Sequence, residues 1–259
     1  MLNITFAQLE LWLSLFLWPF MRVTGMVATA PILSHSSVPM PVKIGICVLL
    51  TTIISATLPP LPAVPLMSWH SVAIIIEQLL VGIAIGVVMQ VIFAIIQAAG
   101  DFIGLQMGLA FASFFSPDSG ANTLILSRIL YIVALLMFVT VDGHLALIQL
   151  LADSFRQVPV AAFSLNFDGF YALVGFTSAI FQLGLLLSLP VLGVLLVINL
   201  SMGILNRSAP QFTVFSVGFP ISLTVGLVLM AVLMSRVQGV FTALFERGYE
   251  FIQVLMLGF

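Results

Sequence analysis

S-V-A-I-I-I-E-Q-L-L-V-G-I-A-I-G-V-V-M-Q-V-I-F-A-I-I-Q-A-A-G-D-F-I-G-L, residues 71–105, decides the fold class. No proline or polar cluster interrupts it, and its apolar residues run almost continuously. A water-soluble helix keeps a polar face; a helix apolar nearly all round is buried in protein or lipid. At 1.5 Å per residue the run is about 50 Å long as a helix, well beyond a hydrocarbon core of about 30 Å. It therefore tilts steeply, breaks or projects beyond the membrane. Gly82, Gly86, Gln90, Ala94, Gln97 and Asp101 recur along it at spacings of four, four, four, three and four. Such a stripe of small and polar residues on one helical face fits two readings: a close-packed helix interface, or a face toward an aqueous channel.

The rest of the chain is of the same kind. Of its 259 residues 62% are hydrophobic and only 6% charged, with a mean hydropathy of +1.29. Soluble domains carry about a quarter charged residues, so the composition defines an all-α polytopic membrane protein. Six apolar segments stand out: Leu9–Ala30, Val42–Leu58, Val72–Ala99, Leu124–Leu151, Phe170–Leu200 and Val214–Met234. Proline-rich links with Pro31, Pro39 and Pro41, then Pro59, Pro60, Pro62 and Pro65, separate the first three. The first segment is expected to be retained. It has no basic leader, and although Ala28-Thr29-Ala30 resembles a cleavage site, Pro31 follows it and Arg22 interrupts the apolar stretch. The 236–259 stretch, with Val237, Val240, Phe241, Leu244 and Phe245 in helical period, predicts an amphipathic helix lying on a membrane surface or a partner helix.

Charge excludes some functions. A net charge of −2 with seven basic residues gives no electrostatic support for a nucleic-acid partner. If the six segments alternate across a membrane, Lys43, Arg128 and Arg207 fall on one side and Arg156, Arg236 and Arg247 on the other, so no positive-inside bias sets the topology. The lone Cys47 lies in an apolar run and reads as an inert core residue. Arg22, Glu77 and Asp142 are charges within apolar runs. Each needs a partner or a wet cavity and is a functional candidate for that reason. Asp142 with His144 suggests either a proton relay or a structural hydrogen-bond pair at a subunit contact. No phosphate-binding loop, HExxH, paired-cysteine site or GxSxG is present, and His35, His70 and His144 lack ligand spacing. The expectation is a non-enzyme that uses no cofactor or metal.

Between the third and fourth segments lies D-F-I-G-L-Q-M-G-L-A-F-A-S-F-F-S-P-D-S-G-A-N, residues 101–122. Connecting loops are normally polar, yet no charge occurs between Ile103 and Phe115. Irregular apolar backbone is tolerated at membrane depth only where protein covers it or where it lines a cavity. This segment is expected to lodge inside an assembly.

One more stretch names a family. L-N-R-S-A-P-Q-F-T-V-F-S-V-G-F-P, residues 205–220, resembles the signature of the flagellar FliR family of type III export gates. Agreeing with it in order are R-V-T-G-M-V-A-T-A-P-I from Arg22, V-P-M-P-V-K-I-G from Val38, and Val141-Asp142-Gly143-His144. In the residues themselves, 206–211 reads as a hairpin turn with Pro210 opening the next helix and Asn206, Arg207 and Gln211 serving free backbone groups or a subunit contact.

The resemblance implies a core export-gate subunit of the bacterial inner membrane and flagellar basal body. It implies assembly with FliP-like and FliQ-like subunits and with FlhB, and passage of unfolded flagellar proteins as substrates. It implies a FliP-like part over residues 1–166 and a FliQ-like helical hairpin over 167–259. It also implies that residues 106–117 plug the closed pore, with Gln106, Met107, Phe111, Phe114 and Phe115 excluding water. The alternative is an ion-coupled transporter of a small solute using Arg22, Glu77 and Asp142.

Overall fold

Leu, Ile, Val, Phe and Met supply the interior of a helical protein, and the computed structural model describes residues 6–58, 68–109, 125–160, 166, 168–208 and 217–259. Among these residues the regular structure is helical: α1 (Phe6–Thr29), α2 (Met40–Ser55), α3 (Trp69–Gln106), α4 (Ile125–Thr140), α5 (Gly143–Gln157), α6 (Asp168–Phe176), α7 (Ala179–Ser208), α8 (Phe219–Met234) and α9 (Val237–Leu257). The all-α membrane class read from composition is what the chain forms. Trp69–Gln106 and Asp168–Ser208, the latter counted across the turn at Thr177–Ser178, are long and apolar enough to cross a membrane. The pairs α4 with α5 and α8 with α9 qualify only if each is one broken span. At 16 residues, about 24 Å, α2 is short of a hydrocarbon core.

The boundaries follow local chemistry. Pro41 and Pro220 sit in the first turns of α2 and α8, where a missing amide hydrogen costs nothing. The 71–105 run is continuous within the 38-residue α3, about 57 Å long, so the expected alternative of a break is excluded. One expectation is corrected, and one apolar segment is divided. The fourth apolar segment forms two helices, because Asp142 adopts a left-handed backbone (φ 56°) between Thr140 and Gly143. The 101–122 segment is not loop from its start, since residues 101–106 complete α3.

The chain forms two compact units: residues 1–91, 142–177 and 245–259 make the first, and 92–141 with 178–244 the second. In the first, α1 packs on α2 and on the amino-terminal half of α3. There the small residues of the stripe are at work. A Cβ on Gly82 would meet the Arg22 backbone, one on Gly86 would meet Thr29, and one on Gly25 would meet the Leu79 carbonyl. Thr29 Oγ1 is within hydrogen-bond reach of the Gly25 carbonyl on its own helix (2.9 Å) and, across this contact, of the Ile83 carbonyl (3.3 Å). In the second unit, α7 packs on α8. Gly100 lies against Ser127, and Phe93 stacks edge-on with Tyr131 and Phe138, each 5.6 Å away. Along α9, Val237, Phe241 and Phe245 are buried as the amphipathic pattern predicts, whereas Val240 is exposed.

Candidate functional site

The carboxy-terminal end of α3 begins the apolar segment that the sequence singled out. Gly108 has φ 82°, its amide donates to the Leu105 carbonyl (3.0 Å), and the Leu109 amide donates to Gly104 (3.0 Å). These are the paired bonds of a Schellman motif, which needs a residue free of steric penalty at positive φ. Met107 just before it is wholly buried, and its side chain fills the notch left by Gly226 of α8. Gln106, half-buried, offers its backbone carbonyl to Asn199 Nδ2 of α7 at 3.5 Å, and Asn199 Oδ1 accepts from Ser222 Oγ of α8 at 2.9 Å. The helix end is thus tied to two others of its unit. Phe111, Phe114 and Phe115 lie outside the described residues, as do Pro210 and Gln211. Asn206 is half-buried and Arg207 exposed at the end of α7. On the stripe, Gln90 is exposed while Gln97 and Asp101 are half-buried.

The strongest polar constellation among the described residues centres on Arg22, 0% exposed on α1. Its Nε donates to Gln78 Oε1 of α3 (2.8 Å), Nη1 to Ser154 Oγ of α5 (3.1 Å) and Nη2 to the Val158 carbonyl just past α5 (2.8 Å). The Phe155 ring lies 4.1 Å from the guanidinium carbon, within cation–π range. Glu77, also buried, supplies opposite charge near enough to act on Arg22. A cation at the end of α5 meets both a free carbonyl and the negative end of the helix dipole. Every nitrogen of the guanidinium is engaged by protein, a bonding pattern of a cross-brace rather than of a solute site. Sequence reading flagged Arg22 and Glu77 but not Gln78, Ser154 or Phe155, whose only signal was polarity or bulk on the matching face.

Asp142 and His144 are brought close by chain alone. The Asp142 side chain is exposed and makes no capping bond, while its carbonyl accepts from Leu145 (2.9 Å) and Ala146 (3.1 Å). His144 Nδ1 is buried with no hydrogen-bond partner among the described residues, so no pair forms through that atom. The buried Gly143 carbonyl accepts instead from the Tyr249 hydroxyl of α9 (3.3 Å). Among the described residues no cluster of three or more His, Cys, Asp or Glu has the geometry of a metal site.

Long apolar helices joined through a few buried polar braces define an all-α polytopic membrane protein. Residues 13–248 match the family described as bacterial export proteins, family 1, and the chain belongs to that family. It is similar to the flagellar biosynthetic protein FliR of Escherichia coli (strain K12), 48% identical over 236 residues that cover 90% of this chain and 89% of the relative. It is likewise similar to the protein of the same name from Pectobacterium carotovorum subsp. carotovorum, 44% identical over 92% of this chain and 91% of the relative. The protein of that name in Bacillus subtilis (strain 168) is 29% identical over 93% of this chain and 94% of its own length.

Proposed function

We propose that this chain is a core, non-catalytic subunit of the flagellar type III protein export gate, seated in the bacterial inner membrane at the basal body. The observation that carries this reading is similarity over 90% of the chain to a protein named flagellar biosynthetic protein FliR, within a family of bacterial export proteins. Its partners in this reading are FliP-like and FliQ-like subunits and FlhB, and its substrates are unfolded flagellar proteins. Residues 1–166 play the FliP-like part and 167–259 the FliQ-like hairpin.

Within that reading, residues 106–117 plug the closed pore. Hydrophobic constrictions stop ions by excluding water, and Met107, Phe111, Phe114 and Phe115 supply the bulk. The docking of Met107 against Gly226 supports a fixed stem, and the positive φ of Gly108 supports a pivot directly after it. Deleting Gly108–Ser116 in assembled gates and recording ion leakage tests the plug. Leakage should rise well above the intact gate; unchanged leakage with normal export would sink it.

A further inference from the structure

We propose that the second unit carries a binding groove for one anionic phospholipid, with an acyl chain between α7 and α8 and the phosphate at Arg236. This inference does not rest on the export reading. The groove has a volume of about 580 Å³, within the range of small-molecule sites, and Arg236 is the one charged residue among those lining it. Leu186, Pro190 and Val191 of α7 form one wall; Leu229 and Val232 of α8 form the other. Leu186 and Val232 are 62% and 63% exposed, so among the described residues the outer edge of each wall is uncovered, while Val191 is buried at the floor. Pro190 within α7 has no amide hydrogen to give the Leu186 carbonyl, which loosens the helix beside the groove.

Charge chooses the occupant. Arg236 stands at the break between α8 and α9, and its guanidinium makes no ion pair or hydrogen bond among the described residues. An apolar trough ending at a cation with no partner among the described residues matches a molecule that carries a long hydrocarbon tail and an anionic head together. A phospholipid with a net negative head does so, and basic residues at a membrane surface attract such heads. A zwitterionic lipid fills the trough but gains less from Arg236.

The full-length protein in nanodiscs of phosphatidylcholine doped with phosphatidylglycerol provides the test, read by native mass spectrometry of lipid retained after gentle extraction. The wild type should hold one phosphatidylglycerol per chain, preferred over phosphatidylcholine about fivefold. Arg236→Gln should keep a lipid but lose the preference. Val232→Trp should displace both lipids, and Leu186→Trp on the opposite wall gives an independent block if the first variant fails to fold. Equal preference in wild type and Arg236→Gln, or full retention in both tryptophan variants, overturns the site. So does loss of the lipid on assembly with partner subunits, accompanied by crosslinking of Val232→Cys to a protein.

Discussion

Arg22 reaches three parts of the chain with its three nitrogens, a geometry that comes from the planar fork of a guanidinium. Arg22→Ala leaves Glu77 buried without the opposing charge and the Val158 carbonyl without its donor. The expected loss is about 3 kcal/mol, measured as a lowered unfolding temperature in detergent. Arg22→Lys keeps the charge but not the fork, so it should fall between the two. Glycines divide in the same concrete way. Gly82→Ala drives a methyl into the Arg22 backbone and should be severely destabilising, whereas Gly45 has open space around it. Gly45→Ala should be neutral or gain up to about 1 kcal/mol from helix propensity. That Arg22 needed a partner was legible from its place in an apolar run. Which partners it took was not, because Gln78 and Ser154 are ordinary residues until the fold brings them to it. Gly108 was visible only as one glycine within the apolar 101–122 stretch; its role as helix terminator depends on a backbone angle that the residue order does not encode.

Helix α3 was legible almost in full, since 71–105 contains nothing that stops a helix. The break between α4 and α5 was not. Val141-Asp142-Gly143-His144 sits in apolar surroundings with no proline, and one non-glycine residue at positive φ makes the corner. A left-handed backbone costs most residues about 1–2 kcal/mol. Asp142→Gly should therefore stabilise the corner by about 1 kcal/mol, while Asp142→Val should destabilise it by at least as much. Unfolding in denaturant reads both, and equal midpoints for the two would contradict the account. The α3 terminus shows the same dependence on tertiary contact: Asn199 and Ser222 lie in apolar helices with no motif to mark them, yet they hold the last turn.

Across the whole molecule, burial is unevenly spread. Two thirds of the apolar span within α3 is covered by the chain (67%), but only 22% of the span in Asp168–Ser208. A helix so bare of its own protein is finished by lipid or by neighbours. Adjacent residues of α7 separate these roles. Leu195 is fully buried, so Leu195→Gln should cost about 3 kcal/mol in the isolated chain. Leu196 is 62% exposed, so Leu196→Gln should change that stability by less than about 0.5 kcal/mol. In the proposed gate it should nevertheless reduce co-purification with FliP-like and FliQ-like subunits. Composition gave the membrane setting, but which apolar faces stay bare follows from packing alone.

The Arg22 brace also sets a schedule for biosynthesis. Its acceptors at Ser154 and Val158 lie 132 and 136 residues downstream. At bacterial-type elongation rates of about 5–20 residues per second, they leave the ribosome roughly 7–27 s after Arg22. Throughout that interval the arginine has at most its early neighbours on α3, and lipid is a poor place for it to wait. The first helix therefore settles last in one respect: it is made early, but its charge comes to rest only when α5 has emerged and closed over it.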